Sequence, residues 1–289
     1  TVVSILFLLV FGLKAGLLLF FWLPGSYSVP PTAVQALFAA LLTKVGIYAL
    51  FRTFTLMFPL NPDVTHSIIG FMAGATIIAG CMGALSGKDV RTIASYNVII
   101  GVGFILIGLA VGTEEAMVGA VYYLIHDMLA KALLFLIIGM MVYLTGEIVV
   151  KNMNGLIRIY PLFGWLYFMV MCALAGIPPL SGFIGKVLIG QGAITQGNFV
   201  LLALGFASSV IVLYSLLRIM LASFFGETTI REEDKRPIPR GAMVSFVLLA
   251  ICIIALGVGA EGIAVYVEDA AHTLVNPSVY IEAILPANE

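Results

Sequence analysis

The chain is built from apolar runs of about 20 residues, each bounded by proline, glycine or charge. A bilayer core offers no water to a spanning backbone, so runs of this length must satisfy their own amides and carbonyls as helices. The runs cover residues 1–22, 31–52, 66–86, 92–112, 115–145, 161–193, 198–225 and 241–266, which is about eight spans. Of 289 residues 62% are hydrophobic and only 10% charged, so most of the surface must face lipid or neighbouring helices. The predicted fold class is all-α, a polytopic transmembrane helix bundle. The runs 115–145 and 161–193 are too long for one straight crossing. In the second, Gly176-Ile177-Pro178-Pro179 removes two backbone donors and predicts a broken helix, 161–175 followed by 180–193.

Four lysines stand inside these runs: Lys14, Lys44, Lys131 and Lys186. A lysine at the centre of a membrane helix costs roughly 2.5–3.5 kcal/mol, so four on four different runs read as stations on a proton or ion path. Lys186 follows the break by seven residues, on the half-helix where exposed backbone groups build mid-membrane ion sites. The plainer reading is a proline kink with a lysine that snorkels to the nearer surface. Lys14 is flanked by Gly12 and Gly16, which loosen the helix or serve close packing. Lys44 follows Thr43 and has no acidic partner on its own helix. In HDMLAK, Asp127 and Lys131 are four apart and can form an ordinary buried ion pair. His126 points elsewhere and suits a relay, since imidazole both accepts and donates near neutral pH; a hydrogen-bonded core histidine is the plain alternative. Four lysines against one acid leave an excess of three positive charges. Either some lysines are neutral, or counter-charges come from other elements.

Alternating the loops between two sides places Lys88, Arg91, Lys151, Arg158, Arg231, Lys235, Arg236 and Arg240 on one side and only Arg52 on the other. By the positive-inside rule, the loops 87–91, 146–160 and 226–240 are expected in the cytoplasm and the acidic C-terminus outside the cell. Arg218 is expected to snorkel toward the cytoplasmic face, and SGKDVR at 86–91 to form a solvated turn with a capping charge. His66 and His272 are expected at the surface. The formal charge of −1 offers no basic patch for nucleic acid. Cys81, Cys172 and Cys252 are far apart, without the spacing of a metal site or a disulfide framework, and no cofactor motif is present. The chain opens within an apolar run, without Met or a leader, and is expected to be the C-terminal portion of a longer protein.

Four ordered segments carry a family likeness: FFWLPGSYSVPPTAVQALFAALLTKVGIYALFR, SGKDVRTIASYNVIIGVG, YYLIHDMLAKALLFL and GIPPLSGFIGKVLIGQGA. They resemble the antiporter-like membrane subunits shared by Mrp-type cation/proton antiporters and respiratory complex I, nearest to the D subunits of the Mrp branch. Phe20 stands where respiratory relatives typically carry histidine. The resemblance implies a 14-helix fold with two inverted repeats, each holding a broken helix. Residues 1–52 would then end the first repeat, 66–225 would form the second, 226–240 a cytoplasmic loop, 241–266 the last helix and 267–289 an extracytoplasmic tail. Lys14 and Lys186 would be the lysines of the two broken helices, Lys44 the bridging lysine, and His126 and Lys131 polar positions of the eleventh helix. The family's proline between the Lys14 position and WLP is absent from AGLLLFFWLP, so a break there must rely on Gly12 and Gly16.

The expected function is that of a multi-pass bacterial cell-membrane subunit in a multisubunit Na+/H+ antiporter, a secondary transporter and no enzyme, with no bound cofactor or metal. Protons would pass along Lys14, Lys44, His126 and Lys186. The expected partners are Mrp subunits A, B, C, E, F and G, further helices of its own chain, and membrane lipid. The alternatives are a proton-pumping subunit of a quinone-linked respiratory complex and a scaffold that transports nothing.

Overall fold

The computed structural model describes residues 2–58, 62–228 and 235–284. Arg231 and Glu289, part of the charge pattern, lie outside the described residues. The chain opens with α1 (Val2–Ala15) and a short α2 (Leu23–Ser28). Next comes one continuous helix, Thr32–Met57, made of α3 (Thr32–Leu37), a π-helical segment (Phe38–Leu42), α4 (Thr43–Arg52) and a second π-helical segment (Thr53–Met57). Then follow α5 (Pro62–Ser86), α6 (Val90–Val111), α7 (Glu114–Thr145), α8 (Leu156–Ile159), α9 (Pro161–Ala175), α10 (Ser181–Thr195) and α11 (Phe199–Phe224). The chain ends in α12 (Arg240–Val258), α13 (Glu261–Val275) and α14 (Pro277–Ile284).

Among the described residues, six helices are long and apolar enough to cross a membrane: Thr32–Met57, Val64–Ser86, Val90–Val111, Glu114–Thr145, Phe199–Phe224 and Arg240–Val258. The two remaining apolar runs of the sequence are each divided. Residues 161–193 break where the two prolines stand, between α9 and α10. Residues 1–22 also break, after Ala15. At both points a glycine leaves the helix with positive φ, Gly16 at 80° and Gly176 at 86°, a conformation costly for a residue with a Cβ. Leu18 shares the left-handed region at φ 60°, and its amide donates to Thr76 Oγ1 of α5 at 2.8 Å, which holds the turn in place. The break near Lys14 thus forms without proline, through Gly16.

One expected boundary shifts, and two further expectations are refined. The last long helix ends at Val258 rather than 266, because Gly259 and Ala260 interrupt it. The segment beyond, expected as a tail, is helical over Glu261–Val275 and Pro277–Ile284. Its helices α13 and α14 fold back, with α13 against α7 and the Arg52 guanidinium 4.0 Å from the Tyr280 ring centre. His66 is half-buried, at the rim of a cavity, rather than on the open surface.

The centre of the bundle is formed by α6 and α7. Helix α6 is predominantly apolar and almost wholly buried, as a helix surrounded by others must be. Asp89 caps it, its carboxylate accepting from the Thr92 amide at 2.7 Å. Around α7 lie α3, α6, α9, α10, α12 and α13. At one end of the bundle the basic loops meet: the Val90 amide donates to Ile148 O, the Val150 amide to Lys88 O, and the Gly155 amide to Phe225 O. Arg218 reaches the same end and donates to the carbonyls of Ala84, Leu85 and Gly87, at the C-terminal, negative end of the α5 dipole.

Candidate functional site

The sequence scatters its membrane-depth charges over several runs; the fold gathers most of them. Lys44, His126, Asp127, Lys131 and Lys186 are all buried, none more than 5% exposed. They lie on α4, α7 and α10, with α6, α9 and α11 supplying neutral hydrogen-bond partners.

Asp127 is the single carboxylate of this group. Lys44 Nζ lies 2.6 Å from its Oδ2, and Lys131 Nζ 3.9 Å from Oδ1. The local pairing of Asp127 with Lys131 is therefore the weaker contact; the close partner comes from α4. Each lysine also donates to a backbone carbonyl. Lys44 Nζ reaches Ala39 O at 2.9 Å, inside the π-helical segment, where the altered register leaves carbonyls for side chains to use. Lys131 Nζ reaches Asn97 O at 2.8 Å on α6. The Asn97 side chain in turn holds Ser215 of α11 at 3.1 Å.

His126 turns to the opposite face of α7. Its Nδ1 is 2.7 Å from Ser181 Oγ, the first residue of α10 after the break. Among the described residues its Nε2 has no hydrogen-bond partner, which leaves that buried ring nitrogen available for one. The His126 ring lies 5.2 Å from that of Tyr123, which also faces Lys186.

Lys186 has no carboxylate in contact among the described residues. Its Nζ donates at 2.9 Å to the carbonyls of Leu174 and Ala175 and to Ser209 Oγ. Those carbonyls belong to the last turn of α9, where the helix stops at Gly176 and its final carbonyls lack amide partners. The ring centres of Phe104 and Tyr123 are 5.6 and 5.7 Å away, within cation–π range. The broken helix thus makes a cationic site from a helix C-terminus and two aromatic faces.

Lys14 is not brought into this group. It is exposed in the last turn of α1, with the backbone of Lys14 and Ala15 against Gly46, two residues past Lys44. Within the buried group three lysines face one aspartate, so the excess is two if all are protonated. Two open cavities lie apart from the axis. One of about 500 Å³ is lined by His66, Gly70, Gly74, Gln196 and Asn198, and another of about 540 Å³ by Tyr48, Arg52, Leu274 and Tyr280. Beside Lys186 there is a crevice of about 10 Å³. Ser181, Ser209, Asn97 and Ser215 do not stand out in the sequence. Serine and asparagine recur in membrane helices for packing, and the one local signal is the position of Ser181 two residues after Pro179.

The described residues thus form a multi-pass helical membrane bundle in which buried lysines and one carboxylate gather beside a lysine-bearing broken helix. Residues 1–212 match the family model described as NADH:quinone oxidoreductase/Mrp antiporter, TM. The chain belongs to that family. It is 46% identical over 286 residues, 99% of this chain and 58% of the relative, to the D subunit of the Na(+)/H(+) antiporter of Bacillus subtilis (strain 168). It is 42% identical over 99% of its length, and 57% of the relative's, to the putative antiporter subunit mnhD2 of Staphylococcus aureus (strain Newman). The fold is similar to a chain in the Mrp complex of Dietzia sp. DQ12-45-1b, with TM-score 0.91 and 27% identity over 96% of this chain and 60% of that one. It is also similar to a chain in respiratory complex I of Thermus thermophilus with bound NADH, with TM-score 0.83 and 26% identity over 93% and 57% of the two chains. The chain thus spans a little under three-fifths of the curated relatives it matches.

Proposed function

We propose that this chain is part of a proton-translocating subunit of a multisubunit Na+/H+ antiporter. The observation that carries the reading is the buried group Lys44–Asp127–Lys131 with His126 and Lys186, an arrangement whose burial is costly and which a purely structural core has no need of. Asp127 sits between two lysines and stabilises positive charge on either. His126 bridges toward Ser181 and the broken helix, and Lys186 is held by dipoles rather than by a fixed countercharge. A proton arriving at one lysine raises the cost of a proton on the next, so charges are driven along the axis. Lys14 stands outside the buried group, its backbone against Gly46, and its proposed place in the path rests on the break at Gly16, which parallels the Lys186 break at Gly176.

In this reading residues 1–52 close a first repeat and 66–225 form a second. The loops 87–91, 146–160 and 226–240 face the cytoplasm, in keeping with their basic residues. The partners are the other subunits of an Mrp-type complex, and the membrane is the bacterial cell membrane. The second reading, a proton-pumping subunit of a respiratory complex, is favoured by the fold shared with complex I. The higher sequence identity to the antiporter relatives supports the first.

The test is a sodium pulse applied to vesicles that carry the complete complex with the full-length subunit, read with an entrapped pH dye. Sodium-driven pH change without added NADH or quinone is the expected result. A pH change that requires electron donors, in a preparation with bound flavin and iron–sulfur centres, overturns the antiporter reading in favour of the respiratory one.

A further inference from the structure

The buried side-chain atoms without a hydrogen-bond partner among the described residues are Gln35 Oε1, Thr43 Oγ1, Arg91 Nε, His126 Nε2 and the two Asp127 oxygens. The last three belong to the axis already described. The first three lie between the basic end of the bundle and that axis. Burying a polar atom without a partner costs about 1–3 kcal/mol, so three along one direction call for a reason.

The order of these groups follows from shared contacts. Arg91, in the first turn of α6 beside the loop 87–89, donates from Nη1 to Ser28 O at 2.9 Å. Gln35 Nε2 donates to the same carbonyl at 3.3 Å and to Pro30 O at 2.7 Å, which leaves its Oε1 free to accept. Tyr27, adjacent to Ser28 on α2, is fully buried and donates from its hydroxyl to Phe38 O at 3.0 Å, one turn along the helix from Gln35. The Tyr27 hydroxyl lies beside the Thr43 side chain and within electrostatic reach of Asp127. Thr43 precedes Lys44, whose Nζ meets Asp127. Between a basic loop and the central ion pair there is thus a succession of polar groups on α2 and on the helix Thr32–Met57, inside an otherwise apolar wall that includes Phe38 and Phe135.

We propose that Gln35, Tyr27 and Thr43 form the proton access route from the basic end of the bundle to the Lys44–Asp127 pair. The inference rests on the proton-relay reading above and adds where protons join the axis. Gln35 Oε1 accepts a hydrogen bond from water drawn in past Arg91. The Thr43 hydroxyl accepts a proton on its lone pair as it releases its own toward the Lys44–Asp127 pair, so it returns unchanged. Tyr27 holds the turn between them and keeps its hydroxyl against the π-helical segment.

The experiment uses the complete complex in proteoliposomes, with sodium-driven proton flux measured by an entrapped pH dye and assembly measured on the same samples. Thr43→Val keeps the side-chain shape and removes the hydroxyl; it is expected to slow flux at least about tenfold at normal assembly. Thr43→Ser restores the hydroxyl with a smaller side chain and is expected to bring flux back to within about twofold of the wild type. Gln35→Met is expected to slow flux, with Gln35→Glu recovering it. A purely structural role predicts the reverse order at position 43, with the valine variant normal and the serine variant impaired, and that order overturns the route. So does normal flux in both Thr43→Val and Gln35→Met. Lys44→Ala is run alongside: if it also transports normally, the relay reading fails as well, whereas its loss beside normal Thr43→Val flux removes the route alone.

Discussion

Replacement of Asp127 by asparagine should damage the protein more than replacement of Lys44 by methionine, and combining the two should repair part of the damage. At an effective dielectric of about 20, a pair at 2.6 Å attracts by about 6 kcal/mol and one at 3.9 Å by about 4 kcal/mol before desolvation is counted. Asp127→Asn removes both attractions and leaves Lys44 and Lys131 facing each other. Taking one partner from a buried pair costs about 3–5 kcal/mol. That cost has a ceiling, because a lysine gives up its proton at pH 7 for about 5 kcal/mol. Lys44→Met alone leaves Asp127 with Lys131, which needs only to close from 3.9 Å. In the double variant Lys131 is the one cation without its acid, and one unpaired charge has been removed. The complex carrying Lys44→Met with Asp127→Asn should therefore melt higher than Asp127→Asn alone, by the equivalent of at least about 1 kcal/mol. The assay is thermal melting of the purified complex, with assembly scored by native electrophoresis. A double variant that melts at or below Asp127→Asn would falsify the pairing of Lys44 with Asp127.

A methyl group at position 182 would collide with the Ala173 carbonyl and come within 2.9 Å of His126 Nε2, so Gly182→Ala should force α10 away from α9 and α7. The expected loss is about 1–3 kcal/mol with reduced assembly, and unchanged assembly would show that the contact relaxes freely. Ser181→Ala deprives His126 Nδ1 of its partner while altering little volume; transport should fall about tenfold with assembly intact, and parallel loss of both would mark the serine as structural. Arg218→Ala leaves the carbonyls of Ala84, Leu85 and Gly87 without their cationic donor. It should lower stability by about 1–2 kcal/mol while the flux per assembled complex stays unchanged, measured by melting and by the dye assay.

Much of this architecture is legible because a membrane restricts the backbone so severely. Apolar run length and the Pro178-Pro179 pair mark α9 and α10 to within two residues, since neither signal depends on tertiary contacts. The break after Ala15 is harder to place, because a glycine is equally at home in helix packing; only the positive φ of Gly16 and the bond from the Leu18 amide to Thr76 distinguish the two uses. The end of the last long helix is hidden for a related reason: Gly259 lies in a sequence apolar enough to continue. Among the site residues, lysines inside apolar runs announce themselves by their cost. Their pairing does not, since Lys44 and Asp127 are 83 positions apart and meet only when the helix Thr32–Met57 packs against α7, whereas the i,i+4 relation of Asp127 to Lys131 is visible by inspection. Lys186 shows the opposite case. Its ligands are mostly backbone carbonyls, which no side-chain pattern encodes, yet the proline break that frees them is plain in the sequence.

The central claim is that buried lysines carry protons. It is met most directly by Lys186→Ala in the complete complex, with assembly, melting midpoint and sodium-driven proton flux measured on one preparation. Removing the ammonium leaves the carbonyls of Leu174 and Ala175 and the Ser209 hydroxyl without their cationic partner, and no carboxylate loses a partner. The account predicts an assembled complex that melts modestly below the wild-type midpoint, by the equivalent of about 1–3 kcal/mol, and has lost its proton flux. Wild-type flux in that variant would contradict it.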